Sequence, residues 1–270
     1  MAGPARTSES ILLIGCGKMG GALLKGWLAG GSVKNPIVVD PVTPAIQGVA
    51  VVADLAQIPD PLPQTIVLAV KPQLLDTVLP GLKARLPKGA LVLSIAAGKT
   101  LAYFADRLGA EVALVRAMPN TPAAIGRGIT VCCAGPKASA AQRTTAETLL
   151  KAGGEVAWTA DEGLMHAVTA VSGSGPAYVF LLIEAMEAAG VAAGLPADLA
   201  AKLARATVAG AGELAAVSPD RPAKLRADVT SPGGTTAAAL GVLMGPEGLQ
   251  KLMEKAVQAA TRRSEELAKG

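Results

Sequence analysis

The sequence predicts an α/β fold, in which an N-terminal Rossmann-like, doubly wound parallel sheet precedes an all-α C-terminal domain. Short apolar runs alternate with helix-like stretches up to about residue 160, which is the pattern of a parallel sheet with crossover helices. A glycine-rich turn directly follows the first of these runs. No strand pattern appears after residue 160. The predicted domains are therefore residues 1–160 and residues 161–270.

Composition limits the classes of function. Only 2% of the 270 residues are aromatic, and the net charge of +4 comes from scattered Lys and Arg, so we expect no nucleic-acid partner. A single His and dispersed carboxylates predict no metal site. The three cysteines, Cys16, Cys132 and Cys133, indicate no disulfide framework and fit a reducing compartment.

The apolar content bears on location and assembly. Residues 1–10 are small and polar and lack the apolar core of a signal sequence, which predicts a cytoplasmic protein. The longest apolar run, residues 177–195, contains Glu184 and Glu187, and favours a buried or interface helix over a membrane span. A mean hydropathy of +0.43 predicts more buried surface than a monomer needs, and hence a homo-oligomer.

The glycine-rich turn is typical of dinucleotide binding. Residues 11–14 form a continuous apolar run, which indicates a buried parallel strand. Gly-Cys-Gly-Lys-Met-Gly follows at residues 15–20, before a helix-like stretch, in the context that the Gly-x-Gly-x-x-Gly motif requires. Gly15 allows the tight turn, Gly17 lets the backbone approach a pyrophosphate, and Gly20 lets the helix pack on the strand.

Asp40 ends the second predicted strand, residues 37–39, about twenty residues after the glycine motif. An acid at this place binds the adenosine ribose hydroxyls and favours NAD over NADP. An Asp before Pro41 is equally typical of an ordinary turn.

Three further segments follow predicted strands, namely Val70-Lys71-Pro72, Ile95-Ala96-Ala97 and Pro119-Asn120-Thr121. Ligands of such sheets bind at the carboxyl ends of the strands, so these segments are predicted to contact the cofactor. Lys71 also fits a plain surface lysine. The remaining predicted strands are residues 65–70, 90–94, 112–116, 129–134 and 155–158, and the helices are residues 21–28, 73–86, 101–108 and 138–152.

Two segments interrupt the helical half, which is predicted to contain helices at residues 161–171, 176–193, 196–217, 235–244 and 246–268. Ser-Gly-Ser-Gly-Pro at residues 172–176 predicts that a helix ends or kinks near Ser172 and restarts with Pro176 in its first turn. A restarted helix offers free N–H groups to an anion. The alternative is a glycine-rich kink that serves close packing.

The second segment is Asp-Val-Thr-Ser-Pro-Gly-Gly-Thr-Thr at residues 228–236. Four hydroxyls and two glycines before a predicted helix favour an anion-binding cradle. The alternative is an ordinary N-cap turn, which needs only one hydroxyl.

The side chains available restrict the chemistry. 3-Hydroxyacid dehydrogenases of similar layout use a lysine of the second domain as acid and base. No Lys or Arg occurs between Lys151 and Lys202 in this chain, so that mechanism is not available. His166 fits a packing or surface role better than a catalytic one. Reduction of a C=N bond suits this sequence, because an imine is protonated before hydride arrives and needs chiefly to be held by an anionic group.

The chain closely resembles the pyrroline-5-carboxylate reductase family. Residues 228–236 and 167–178 resemble its two signature segments, and residues 70–72, 96–98 and 116–122 match its cofactor-domain motifs. The resemblance covers nearly the whole chain. It implies NAD(P)H-dependent reduction of 1-pyrroline-5-carboxylate to L-proline, the last step of proline biosynthesis. It also implies homodimers built through the helical domain, often assembled into decameric rings of five dimers.

The motifs and the resemblance together assign roles to individual residues. Thr169 is the candidate catalytic residue near the imine, and its hydroxyl is expected to touch the imine nitrogen and relay a proton. The candidate substrate-binding residues are Ser174, Ser231, Gly233, Gly234, Thr235 and Thr236. The candidate cofactor-binding residues are Ile14, Gly15, Cys16, Gly17, Lys18, Met19, Gly20, Asp40, Ala69, Val70, Lys71, Pro72, Ile95, Ala96, Ala97 and Asn120.

The choice between NADPH and NADH stays open at this level. The family usually prefers NADPH, but Asp40-Pro41 departs from the Ser- or Arg-bearing versions of this turn, so we expect both cofactors to work. Two alternatives to the predicted activity are another imine or keto-acid reductase on the same scaffold and a non-catalytic dinucleotide-binding protein. The second has no use for the hydroxyls of Ser231 and Thr236.

Overall fold

A computed structural model of the chain describes residues 10–269. The described residues fall into two compact units, of which one comprises residues 10–173 with 260–269 and the other comprises Ser174–Ala259. The units change after Gly173, whereas the sequence predicts a domain boundary at residue 160. That division stays a prediction, because compactness does not report function.

The first unit is built on one eight-stranded sheet in the order β3-β2-β1-β4-β5-β6-β7-β8. The strands are β1 Ile11–Ile14, β2 Pro36–Val39, β3 Ala50–Val52, β4 Thr65–Leu68, β5 Leu91–Ser94, β6 Ala113–Met118, β7 Gly128–Ala134 and β8 Gly154–Thr159. The Rossmann-like prediction is confirmed. The short edge strand β3 was not predicted, since three residues give too little alternation to detect.

One strand pair departs from the predicted parallel sheet. Strand β7 runs antiparallel to β6, with Arg116 opposite Cys133 and Met118 opposite Val131. Only residues 119–127 join the two strands, and five of these form a 3-10 helix, Thr121–Ile125. This connection is too short for the crossover that parallel neighbours require.

Helices cover both faces of the sheet, as a doubly wound fold requires. They are α1 Lys18–Gly30, α2 Leu75–Arg85, α3 Leu101–Leu108 and α4 Ala140–Leu150. Alternate residues of β1 serve different cores, because Leu13 packs in one cluster with α1 and α4 and Leu12 packs in another with α2 and α3. The fully apolar strand is therefore explained by burial on both faces.

The strand order reverses at β1, so successive strands are added first on one side of β1 and then on the other. Strands β2 and β3 lie on one side of β1, and β4 lies on the other. Such a switch point leaves a crevice at the carboxyl ends of the strands, where ligands of this fold class bind. The glycine-rich turn begins there, since Gly15 N donates to Val39 O and Ala69 N donates to Ile14 O.

The remaining helices are α5 Met165–Val168, α6 Gly175–Ala192, α7 Ala197–Val217, α8 Pro222–Asp228, α9 Thr235–Leu243 and α10 Leu249–Lys269. Helix α8 was not predicted, because it has only seven residues between two turn-like segments. By length and composition alone, the stretch Glu162–Ala192 is long and apolar enough to cross a membrane. The absence of a membrane partner therefore stays a prediction.

The predicted helix interruption near Ser172 is confirmed. A π-helix at Thr169–Gly173 follows α5, and Ser174 keeps right-handed helical angles, φ −86° and ψ −22°, before α6. Pro176 does lie in the first turn of α6, as predicted. A π turn is typical of the irregularity that glycine and proline introduce. Ser174 is the N-cap of α6 and makes no side-chain capping bond, and the role of this helix start in anion binding stays a prediction.

Candidate active site

The glycine-rich turn can be built only with glycine at two of its positions. Gly15 has a φ of +93°, and a Cβ there would lie 2.7 Å from Val70 N. A Cβ on Gly20 would lie 2.3 Å from Gly15 O, so helix α1 packs directly on the turn. These contacts hold Gly15 against Ala69 and Val70, and the structure thereby brings together two of the predicted cofactor segments.

Gly17 differs from its neighbours because no atom lies within 4 Å of the position that its Cβ would occupy. Gly17 is the N-cap of α1, makes no side-chain capping bond, and is followed by a first turn without acidic residues. The N–H groups of this first turn, which begins with Lys18 and Met19, therefore suit an anion. Open space and amide donors at the switch point fit the pyrophosphate of a dinucleotide.

The carboxylate of Asp40 is held by three backbone amides. Its Oδ2 accepts from Cys16 N at 2.7 Å, and its Oδ1 accepts from Val42 N at 2.9 Å and Thr43 N at 3.0 Å. Burial by itself raises the pKa of Asp40, but these bonds and one from the Thr43 hydroxyl outweigh it and hold the pKa below its ordinary value. Asp40 is thus a charged group fixed beside the glycine-rich turn.

The other predicted cofactor residues lie along the same edge of the sheet. Ile95 N donates to Leu68 O, the end of β4, and so extends the pairing of these strands by one residue beyond β5. Ile95 and Ala96 are buried, Ala97 and Lys71 are exposed, and Pro72 opens a 3-10 helix. Asn120 is partly committed, because its Oδ1 accepts from Ile129 N at 2.9 Å, which leaves its amide hydrogens for a ligand.

Thr169 opens the π-helix and lies near the end of β6. Its hydroxyl donates to Met165 O at 2.8 Å. Gly173, one turn later, packs so closely that a Cβ there would lie 2.6 Å from Met118 Cε and 3.6 Å from Thr169 Cγ2. Since Met118 ends β6, the predicted catalytic residue belongs to the same edge as the glycine-rich turn. Short π segments are frequent at functional sites.

The loop at residues 229–234 lies in the second unit and leads into α9. Gly233 has a φ of +73°, and Gly234 N donates to Ser231 O at 3.1 Å. Gly234 is the N-cap of α9, without a side-chain capping bond and without an acid in the first turn. Ser231 and Thr235 are exposed and Thr236 is partly exposed, so hydroxyls and amide groups surround this helix end.

One of the four predicted hydroxyls of this loop serves another purpose. Thr230 Oγ1 donates to Arg226 O at 2.6 Å and so closes the end of α8. Asp228 is also neutralised locally, since Lys224 Nζ lies 2.6 Å from its Oδ2. The cradle therefore has three candidate hydroxyls, and the acid that precedes it is paired.

Sequence reasoning missed a buried ion pair next to this edge. Arg116 has 4% of its side chain exposed, and its Nη1 donates to Glu162 Oε1 at 2.8 Å. The same oxygen accepts from Leu101 N at 2.7 Å. The partners lie 46 residues apart along the chain, so no local pattern signals the contact.

The single histidine and the thiols show no catalytic arrangement. His166 Nδ1 lies 3.0 Å from the buried Ser264 Oγ, which suits the packing role predicted for it. Burial raises the pKa of Cys132 to about 12, and burial also raises the pKa of Cys16, so neither thiol favours the reactive thiolate. Within residues 10–269, no group of three or more His, Cys, Asp or Glu is placed to hold a metal ion.

Comparisons with known proteins show the family of the chain. Residues 162–267 match the family described as pyrroline-5-carboxylate reductase dimerisation. Residues 10–98 match the family described as NADP oxidoreductase, coenzyme F420-dependent. The pyrroline-5-carboxylate reductase of Synechocystis sp. is 46% identical over 209 residues, which are 76% of each chain.

Two solved structures are similar over almost the full length. The pyrroline-5-carboxylate reductase from Coxiella burnetii has a TM-score of 0.90 and 35% identity, over 98% of this chain and 100% of that one. The pyrroline carboxylate reductase of Plasmodium falciparum with NADP bound has a TM-score of 0.83 and 28% identity, over the same shares. The glycine-rich turn, the π-helix segment and the hydroxyl-rich loop all lie within these matches, and the chain belongs to the pyrroline-5-carboxylate reductase family.

Proposed function

We propose that this protein reduces 1-pyrroline-5-carboxylate to L-proline with NAD(P)H, the last step of proline biosynthesis. The observation that carries the proposal is the edge at the switch point. A glycine-rich turn with open space at Gly17 is suited to a dinucleotide, and the helical residue beside the end of β6 is Thr169, which is neither an acid nor a base at neutral pH. This edge suits a substrate that is protonated before it is reduced, and the cyclic imine is such a substrate.

The cofactor role follows from the residues around the turn. When bound, NAD(P)H supplies the hydride. The N–H groups at the start of α1 would bind the pyrophosphate, Asp40 would face the adenosine ribose, and the segments after β4 and β5 would line the dinucleotide. Lys71, Ala97 and the Asn120 amide are the accessible groups among these candidates.

The hydroxyl of Thr169 would orient the imine rather than protonate it. Its hydrogen is directed at Met165 O, 2.8 Å away, and a carbonyl oxygen can only accept. The lone pairs of Thr169 therefore remain to accept a hydrogen bond from a protonated imine N–H. This assignment makes Thr169 a group that holds the reactive C=N bond in place.

The substrate carboxylate would bind at the start of α9. Ser231, Thr235 and Thr236 offer hydroxyls, and the uncapped helix end offers amide donors and a partial positive charge. Gly233 and Gly234 keep the backbone accessible there. Ser174 is the remaining candidate, and it is the N-cap of α6 without a side-chain capping bond.

The chain oligomerises, and we propose that the helical domain forms a homodimer which assembles further into a decamer. None of the residues of α6 is buried within the chain. Its exposed apolar residues are Val179, Phe180, Leu181, Leu182, Met186 and Val191. An apolar face of this extent is typical of an interface with a second copy. Such coverage also removes the need for a membrane, and supports a cytoplasmic location.

The test of the function is NAD(P)H oxidation by the purified protein on addition of 1-pyrroline-5-carboxylate, followed by identification of proline. A panel of keto acids and of other cyclic imines with and without a carboxylate serves as the comparison. We expect turnover with pyrroline-5-carboxylate and at least about a hundredfold lower kcat/KM when the carboxylate is missing, because its charged hydrogen bonds are lost. Turnover of keto acids at an equal rate would contradict the proposal.

A further inference from the structure

We propose that Asp40 makes this enzyme bind NADH more tightly than NADPH. In a bound dinucleotide, the 2′-phosphate of NADPH would lie next to the Asp40 carboxylate. The inference rests on the proposed function in one respect, namely that the glycine-rich turn binds the dinucleotide. It adds a residue that determines which of the two cofactors is used.

The backbone fixes Asp40 at the end of β2. Asp40 N donates to Val52 O at 3.0 Å, and Gly15 N donates to Val39 O at 2.9 Å. The residue is therefore tied into the sheet between the glycine-rich turn and β3. In this fold an acid that ends the second strand meets the 2′- and 3′-hydroxyls of the adenosine ribose.

The side chain is oriented as firmly as the backbone. The bond of 2.7 Å from Cys16 N to Asp40 Oδ2 directs the carboxylate at the glycine-rich turn. Val42 N and Thr43 N both donate to Oδ1. Oδ2 accepts only one of these three hydrogen bonds, and a carboxylate oxygen can accept two. Oδ2 can therefore accept a second hydrogen bond, from a ribose hydroxyl, and keep the bond from Cys16 N.

Charge around Asp40 disfavours a phosphate. The sequence contains no Lys or Arg between Lys34 and Lys71, whereas Asp40, Asp54 and Asp60 all fall in this interval. The turn after β2, which holds the 2′-phosphate in NADP-binding members of this fold, therefore supplies no cation of its own.

One cation that reaches this interval from elsewhere, Arg85, is already bonded within it. Arg85 Nη1 donates to Leu55 O at 2.6 Å, its Nη2 donates to Ile58 O at 2.5 Å, and the same Nη2 lies 2.9 Å from Asp60 Oδ1. Lys18 is exposed, but it begins α1, where it is suited to the pyrophosphate that both cofactors share. A 2′-phosphate would thus lie beside the fixed negative charge of Asp40, which is a repulsive element that selects between ligands.

Binding measurements on the substrate-free, full-length protein test the proposal. The dissociation constants of NADH and NADPH are obtained by calorimetry or nicotinamide fluorescence, and AMP is compared with adenosine 2′,5′-bisphosphate to isolate the adenosine half. We expect NADH to bind at least about tenfold more tightly than NADPH, and AMP to bind more tightly than the bisphosphate, because like charges in one site discriminate by this order.

Two variants remove the charge in different ways. Asp40→Asn keeps an oxygen acceptor for Val42 and Thr43, and Asp40→Ser removes the bulk as well. In each we expect the NADPH:NADH affinity ratio to rise about tenfold. Asp106→Asn is the matched control, because it removes one exposed carboxylate from α3, away from this turn, and should leave the ratio unchanged.

The outcomes separate the inference from the function on which it rests. Wild-type protein that binds NADPH as tightly as NADH would overturn the inference. An NADPH:NADH affinity ratio that stays unchanged in both Asp40 variants would also overturn it. So would a ratio that changes equally in Asp106→Asn. Protein that binds neither dinucleotide would instead remove the cofactor role of the glycine-rich turn, and with it the proposed function. Tight NADH binding without turnover of pyrroline-5-carboxylate would leave the inference intact and contradict the function alone.

Discussion

Arg116 donates a hydrogen bond of 2.8 Å to Glu162, and the accepting oxygen is also 2.7 Å from Leu101 N. One carboxylate thereby joins β6, the start of α3 and the segment that leads into the π-helix. Because Arg116 is buried and Thr169 follows Glu162 by two helical turns, this pair anchors the segment that carries the candidate catalytic hydroxyl.

Removal of Glu162 should cost much of the stability of the first unit. Glu162→Ala leaves a buried guanidinium without its counter-charge, and we expect the free energy of unfolding to fall by about 3 kcal/mol. Urea denaturation measures this. Glu111→Ala is the matched control, since it breaks an exposed pair with Lys137 and should cost less than about 1 kcal/mol. Equal effects of the two substitutions would show that the buried pair is not an anchor.

Alanine at two glycines of the same turn should affect different properties, namely stability at Gly20 and cofactor binding at Gly17. In Gly20→Ala the added Cβ meets backbone at 2.3 Å, so a loss of about 3 kcal/mol or more outweighs the gain of about 1 kcal/mol in helix propensity. Gly17→Ala fills open space and should cost only about 1 kcal/mol as a poorer N-cap. We expect it to weaken dinucleotide binding by tenfold or more instead. Thermal unfolding and titration with NADH separate the effects, and normal cofactor affinity in Gly17→Ala would argue against a pyrophosphate at this position.

The hydroxyls before α9 should separate into substrate-binding and structural groups. Each hydroxyl that bonds a carboxylate contributes about 1.5–3 kcal/mol, so Thr236→Val and Ser231→Ala should each raise KM for pyrroline-5-carboxylate by about ten- to a hundredfold without changing the affinity for NADH. Thr230→Val is the matched control, because the Thr230 hydroxyl is bonded to Arg226 O, and it should lower stability by about 1 kcal/mol with KM unchanged. An unchanged KM in the double variant of Ser231 and Thr236 would contradict the carboxylate assignment.

Thr169 should affect turnover more than binding. Thr169→Val keeps the shape and removes the hydroxyl, and the loss of one hydrogen bond to a cationic imine should lower kcat about tenfold or more. Thr169→Ser retains the hydroxyl and should retain most of the activity. The affinity for NADH, measured by fluorescence, should be the same in all three proteins. A valine variant with normal kcat would make the Thr169 hydroxyl purely structural.

The apolar face of α6 should be required for assembly. Leu182 is 44% exposed and Leu28, at the end of α1, is 39% exposed, so the two offer a matched comparison. Leu182→Arg places a charge in the proposed interface and should dissociate or unfold the protein, because an uncompensated charge in an apolar interface is costly. Leu28→Arg should leave the oligomer intact. Light scattering after size-exclusion chromatography provides the measurement, and an intact oligomer of Leu182→Arg would exclude this face as the interface.

The fold class could be predicted because its signals are local. A strand buried on both faces must be apolar throughout, as residues 11–14 are, and only glycine satisfies the φ of Gly15 and the contact at Gly20. Helix α3 was predicted with its observed ends, since Thr100 and Gly109 mark them chemically. The direction of β7 was not predictable from its own residues, because parallel and antiparallel strands share one alternation and only the connection decides between them.

Residue types in sequence determined that this chain is an α/β enzyme of the pyrroline-5-carboxylate reductase family, with a dinucleotide turn and a hydroxyl-rich loop. The partners of those residues were decided only by the tertiary structure. The sequence does not show that the Asp40 carboxylate accepts from Cys16 N, 24 residues away. It also does not show that the Thr230 hydroxyl donates to Arg226 O and is not free for a ligand. A hydrogen bond depends on distance and direction in space, and neither quantity is encoded in the spacing of two residues along the chain.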